Sequence, residues 1–274
     1  MLPDLDSHPF DAATRIRSDE SRWLGHTSPD YWAFVGPFGG VTAATMLRGV
    51  LEHSDRDGDP LAMTVNYCAP VAEGEFELDI RRVRANRSSQ HWAVEIIQNR
   101  ETVALASVVT ALRRPSWSHQ AISAPQAPPF ESVQPLPRST FGMTWTRQYD
   151  FRFIEGAPNS SGKPHPEPAS AYSKMWLGDT RPRVIDFTSL MSMSDAFFGR
   201  IFLARGEIVP FGTVTITTYF HVDAEELARE AATHVLATAD GKVFHRSYGD
   251  QAGELWSANG TLLATTQQMA YFKA

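Results

Sequence analysis

The stretch IDFTSLMSMSDAFFGRIFLAR, Ile185 to Arg205, reads as one long apolar helix with the carboxylate of Asp195 in its middle. At about 100° per residue, Phe187, Leu190, Met191, Ser194, Phe198, Ile201 and Phe202 form one stripe, with Asp195 at its edge. A carboxylate taken out of water costs several kcal/mol unless it is paired, hydrogen-bonded or protonated, so Asp195 is a functional candidate. An exposed or backbone-bonded Asp at a stripe edge is the plainer alternative. The rest of the chain reads as sheet that covers this helix.

The 274 residues allow one large domain or two small ones, and 42% apolar, 20% charged and 11% aromatic residues describe an ordinary folded chain. A net charge of -6 provides no basic excess to displace counterions from phosphates, which argues against a nucleic-acid partner. The one cysteine, Cys68, excludes an internal disulfide and fits a reducing compartment; within MTVNYCAPV it reads as a small buried residue. MLPDLDSHPF lacks the basic and apolar regions of a signal peptide, and no apolar run reaches membrane-spanning length, so a cytoplasmic location is expected.

Residues 10–34 suggest an opening strand or two before the glycine-rich turn Val35-Gly36-Pro37-Phe38-Gly39-Gly40, which enters a helix running to His53. Such an entry lets another group approach the first free N–H groups of a helix, though a close-packed turn needs the same glycines. Strands are expected at Leu61–Val71, Gly74–Ala85, Gln90–Gln98 and Thr102–Leu112, an antiparallel meander. Residues 113–138, with six of the 18 prolines, read as an extended linker.

Beyond it the pattern restarts. Strands are expected at Met143–Phe153 and Ser170–Leu177, with the polar loop EGAPNSSGKPHPEPA between them. The 185–205 helix follows, then strands at Gly212–Val222, His234–Ala239, Lys242–Asp250, Gly253–Ser257 and Thr261–Phe272. AMTVNYCAPV aligns with TVTITTYFHV, and RETVALASVVTAL with NGTLLATTQQMAY, so an internal duplication is inferred. The division is 1–114, a first repeat; 115–140, the linker; and 141–274, a second repeat.

Several segments in order resemble the acyl-CoA thioesterase II group of the thioesterase-like superfamily. They are Gly36-Pro37-Phe38-Gly39-Gly40, Trp176-Leu177-Gly178-Asp179, Ser194-Asp195-Ala196-Phe197, Gly212-Thr213-Val214 and GELWSANGTLLATTQQMA. The resemblance implies an α+β double hotdog, two repeats each with a long helix wrapped by an antiparallel sheet. It also implies hydrolysis of acyl-CoA to free acid and CoA without a metal or redox cofactor. Carried over, it makes Asp195 the general base, with Thr213 and Gln268 holding the attacking water. A carboxylate can take a proton from water, and a hydroxyl and an amide can fix that water without acting as nucleophiles. Gly39 and Gly40 would offer backbone N–H groups to the oxyanion. Many relatives have His-Gly-Gly at the helix entry; Phe38 stands there instead, and reads as acyl-pocket lining or core. A non-catalytic hotdog that binds acyl-CoA or an acyl chain is the alternative, and self-association into a homo-oligomer is compatible with either.

The duplication supports a single site. The alignment puts Ala62 opposite Thr213 and Val109 opposite Gln268, so polar groups occur in one repeat where apolar ones suffice in the other. Strand alternation puts Gln268 on an apolar face and Gln267 opposite it. It also groups Thr213 with Thr215, Thr217 and Tyr219, away from Val214, Ile216 and Phe220, and predicts that Thr213 faces outward. Nine histidines show no ligand spacing, and no nucleophile elbow or phosphate loop is present. Arg81, Arg82, Arg84 and Arg87 read as a solvated strand edge or as contacts for CoA phosphates.

Overall fold

The computed structural model describes residues 8–19, 22–137, 142–159, 163 and 169–273. The first half runs α1 (Pro9–Ala13), β1 (Ile16–Asp19), β2 (Arg22–His26), α2 (Gly39–Glu52), β3 (Asp59–Tyr67), β4 (Glu75–Ala85), β5 (Ser89–Gln98) and β6 (Glu101–Ala111). The second runs β7 (Tyr149–Glu155), β8 (Ser173–Asp179), α3 (Phe187–Met193), α4 (Arg200–Arg205), β9 (Phe211–Phe220) and α5 (Ala224–Glu230). It ends with β10 (His234–Asp240), β11 (Phe244–His245), β12 (Tyr248–Trp256) and β13 (Leu262–Phe272).

The strands make one antiparallel sheet in the order β1-β2-β4-β5-β6-β3-β9-β13-β12-β10-β8-β7, with β11 attached to β12. The halves join at its middle, where β3 pairs with β9 and Val65 faces Ile216. The offset that sets Ala62 on Thr213 also sets Val65 on Ile216, so a local two-fold runs through that pair. α2 and α3 pack together, α2 leaning on β3, β4, β5 and β6. One continuous core, including Met46, Leu47, Leu190 and Met191, spans both halves.

The helix expected over 185–205 is broken. α3 ends at Met193, where Asp195 N–H bonds Ser192 O at 3.2 Å, Ala196 N–H bonds Met193 O at 3.1 Å, and Ser194 Oγ turns back to Leu190 O at 2.7 Å. These tight bonds end the regular ladder, and Gly199 stands at the N-cap of α4. The break lets adjacent aromatics enter different walls: Phe197 lies over Gly253 of β12, while Phe198 joins the rings of Trp145, Phe151 and Phe153. A straight apolar helix would have exposed part of this surface.

Other differences follow from local chemistry. Residues 9–13 are helical rather than extended, and the strand expected from Met143 begins only at Tyr149, after a 3-10 turn at Thr144–Arg147. α5 was not anticipated, although Asp223 and Glu226 form a capping box. The strands expected at Lys242–Asp250 and Gly253–Ser257 are β12 and a short hairpin partner, turning at Arg246 and Ser247, both with positive φ. β3 stops at Tyr67, so Cys68 lies past the strand and is exposed rather than buried. The polar loop expected at 155–169 lies largely outside the described residues.

The proline-rich segment is packed rather than free. Trp176, Leu236 and Trp256 make a small core on the outer side of β8, β10 and β12, covered by Ala124, Ala127, Phe130 and Val133. Trp176 Nε1 donates to Pro128 O at 2.9 Å, and Gln120 bridges Leu262 N and Gly260 O at the start of β13. A sheet with large apolar residues on both faces needs a second cover, and this segment supplies it. Among the described residues, no helix is long and apolar enough to cross a membrane.

Candidate active site

The break between α3 and α4 presents Asp195 to the N-terminus of α2. A Cβ on Gly39 would sit 2.7 Å from Asp195 Oδ2, and one on Gly40 would sit 2.5 Å from Ser192 O. Both glycines are therefore required by the close approach of the two helices. The Gly40 N–H acts on the Asp195 carboxylate in the sense that favours its charged form. Tyr67, at the end of β3, donates from its hydroxyl to Gly39 O at 2.7 Å and holds the helix entry from the other side.

Thr213 comes to the same point because β9 is irregular. Thr215 pairs with Met269 and Thr213 with Ala270, so Val214 is an extra residue in the ladder. This β-bulge resets the alternation and brings Thr213 onto the inner face with Ile216, Thr218 and Phe220. The outward orientation expected from alternation is corrected by that one residue. Thr213 Oγ1 lies 2.8 Å from Gln268 Oε1, to which it donates, and 3.4 Å from Asp195 Oδ1. Gln268 is 4% exposed on the inner face of β13, while Gln267 points outward.

The repeat alignment also shifts. Val65 pairs with Ala106, as Ile216 pairs with Gln268. The structural counterpart of Gln268 is thus Ala106, a buried residue, rather than Val109. A slip of three residues had set an inner position against an outer one. The asymmetry survives in altered form: with Val214 skipped, the inner-face counterpart of Thr213 is Met63 rather than Ala62, so Thr213 and Gln268 stand where the first half has Met63 and Ala106, both apolar and buried.

Asp195 is 7% exposed. Burial pushes its carboxyl up to about 7, against hydrogen bonds from Thr213, Gln268 and the Gly40 N–H that favour the charged form. Tyr67 is held neutral by burial and by the Asp195 charge, and so remains a donor. When protonated, Asp195 can donate to Thr213 Oγ1, which itself donates a hydrogen bond to Gln268 Oε1. When ionised, Asp195 is an acceptor ready to take a proton from water.

Asp195 and Thr213 open on a cavity of about 360 Å³. Gln268 is not on its wall and acts on it through Thr213. Phe38, Trp145, Phe197, Phe198 and Phe202 give the cavity its buried apolar wall, and among the described residues Asp195 is the only charged one lining it. Phe38 stacks on Trp145 with ring centroids 4.3 Å apart and planes within 6°, so it both lines the cavity and packs as core. Exposed residues at the rim include Phe34, Val35 and Cys68.

Tyr67 and Trp145 were not singled out from sequence. Alternation with Met63 and Val65 carries Tyr67 inward and marks it; Trp145 sits in the 3-10 turn at Thr144–Arg147, inside the stretch expected to be strand. Arg82 pairs with Asp55, just past the C-terminal end of α2. That is the far end of a 14-residue helix, about 20 Å from Gly39, so the arginine group does not border this cavity. Among the described residues, no three His, Cys, Asp or Glu side chains gather as a metal site.

The family model of the acyl-CoA thioesterase N-terminal domain matches residues 28–111, and that of the acyl-CoA thioesterase C-terminal domain matches residues 123–272. No curated protein matches the chain in sequence. Among solved structures, an Alicyclobacillus acidocaldarius protein of unknown function with a hot dog fold is 38% identical. It superposes with a TM-score of 0.91 over 98% of this chain and 99% of that one. A putative thioesterase II from Thermobifida fusca shares the fold at 17% identity and TM-score 0.82, over 98% and 99% of the two chains. An acyl-CoA thioesterase II from Mycobacterium marinum does so at 16% identity and TM-score 0.72, over 96% and 98%. Two family models matched in order over most of the chain, on a sheet that folds around two helices as a double hotdog, establish that this chain belongs to the acyl-CoA thioesterase family.

Proposed function

We propose that the chain hydrolyses an acyl-CoA thioester to the free acid and CoA, with Asp195 as general base. The observation that carries this reading is a buried carboxylate titrating near neutrality at the wall of an apolar cavity, in contact with a hydroxyl that an amide orients. A base whose pKa lies near the working pH is ionised often enough to act and basic enough to take the proton. Asp195 accepts a proton from water as the water oxygen bonds to the thioester carbon. The tetrahedral intermediate then expels the CoA sulfur, which recovers that proton and leaves as the thiol.

Thr213, oriented by Gln268, holds the water. With the Gly40 N–H turned to Asp195, the Gly39 N–H at the uncapped start of α2 is the donor assigned to the oxyanion; one such donor is worth about 3 to 4 kcal/mol. The acyl chain lies along Phe38, Trp145 and Phe198. We read residues 1–114 and 141–274 as the two repeats, of which only the second carries the base, and the reaction as a cytoplasmic step of lipid metabolism.

The test is thiol release from a panel running from acetyl-CoA to stearoyl-CoA, with wild type and Asp195→Asn side by side. Hydrolysis lost at least about a hundredfold in a folded variant supports the reading; near-normal turnover by that variant sinks it. Tight acyl-CoA binding with no thiol release by wild type identifies a binding hotdog instead, the reading that phenylalanine at position 38 favours.

A further inference from the structure

Arg200, the first residue of α4, is 2% exposed and makes no ion pair among the described residues. Its Nε donates to Phe198 O and to Gln251 Oε1, each at 3.0 Å. One terminal nitrogen reaches Ala171 O at 3.2 Å and Ser173 Oγ at 2.7 Å, and the other reaches Phe198 O at 2.5 Å. Burying a guanidinium without a carboxylate is costly, and an apolar side chain would fill the space without that cost. Desolvation accordingly pulls Arg200 down to about 9, with Asp240 acting in the opposite sense. Stability alone does not account for this residue.

Two of its contacts lead to the reacting groups. Phe198 belongs to the break that presents Asp195, and its carbonyl takes two of the Arg200 donors. Gln251 stands directly across the β12–β13 ladder from Gln268, and both are buried on the inner face. Directly opposed residues have their Cβ atoms about 5 Å apart, so the placement of one side chain limits the other. Gln251 Nε2 has no hydrogen-bond partner among the described residues, so the Arg200 contact is what orients this amide.

We propose that Arg200 is a positioning residue: its guanidinium locks the 194–199 break in the shape that presents Asp195. Through Gln251 it also confines the side chain of Gln268 that receives the Thr213 hydrogen bond. The inference rests on Asp195 being the base for its catalytic meaning, but the geometry it asserts can be measured without turnover.

The test uses Arg200→Lys, which keeps a charge but loses the fork, and Gln251→Leu, which leaves Arg200 in place. Two readouts are taken on each folded variant: kcat and KM for thiol release, and the titration of the Asp195 carboxyl followed by carbon-13 NMR. In both variants kcat should fall roughly tenfold to a hundredfold with KM unchanged, the mark of misplaced reacting groups rather than lost binding. The Asp195 titration should move to higher pH, because donors to its charged form are loosened. Unchanged kcat and an unchanged Asp195 titration in either folded variant overturn the proposal. If wild type releases no thiol, the thioesterase reading fails while the NMR titration still decides this one. If Arg200→Lys does not fold, Gln251→Leu decides it.

Discussion

Thr213 donates to Gln268 at 2.8 Å although regular alternation along β9 would turn its side chain to the opposite face of the sheet. The extra residue Val214 brings them together. A bulge bends a strand and re-aims a side chain, and here it places a hydroxyl between an amide and a buried carboxylate.

Replacing Thr213 by valine keeps the shape and removes the donor. Thiol release should fall about tenfold or more, the order expected for loss of one positioned polar group. Thr215→Val, a change on the outer face, should leave the rate near wild type. Equal rates for the two variants would separate the bulge from the chemistry.

The pH dependence follows from Asp195. With its carboxyl pushed up to about 7, the base is protonated below neutrality, so kcat/KM should rise with pH and level off above about pH 7. A profile already flat from pH 5 would mean that Asp195 is ionised throughout and is not the titrating base.

The same shift makes a statement about stability. Asp195 titrates near 3.9 in an unfolded chain and about 7 in the fold, so the unfolded state releases its proton first as pH rises. Stability is greatest below the unfolded value and is lost as pH climbs toward 7. Asp195→Asn removes that loss. In urea unfolding the variant should gain on wild type between pH 4 and pH 8, by up to about 4 kcal/mol less whatever its hydrogen bonds contributed. Asp179 is also buried and pushed up to about 7, with neither carboxylate oxygen hydrogen-bonded among the described residues. Asp179→Asn should therefore show the same trend while leaving thiol release unchanged.

The glycine pair divides into two effects. Alanine at Gly39 meets the Asp195 carboxylate and the Tyr67 hydroxyl, so its main cost should be activity, with kcat down roughly a hundredfold for a displacement of about 1 Å. Alanine at Gly40 meets the Ser192 carbonyl, a backbone atom that cannot swing aside. Its main cost should be stability, about 1 to 3 kcal/mol by chemical unfolding. Two variants alike in both rate and stability would contradict this division.

Much of the arrangement was legible in the residues themselves. Apolar alternation marked β3 to β6, β9 and β13 closely, the glycine run marked the start of α2, and the parity of β13 chose Gln268 over Gln267. These features are local: a period of two or of about 3.6 and a turn residue depend on near neighbours alone. The carboxylate in an apolar stripe was visible for the same reason.

What the sequence by itself determined is the repeated order of elements and the inner face of most strands, because side-chain periodicity is set along the chain. Only the tertiary structure decided that 185–205 is two helices with Asp195 in the gap, since two adjacent phenylalanines must reach walls that no single helix faces. It alone decided that Val214 is skipped in the ladder, which turned Thr213 inward, and that Ala106 is the counterpart of Gln268. A register between strands depends on partners far away in sequence, and one skipped residue reverses every side chain beyond it.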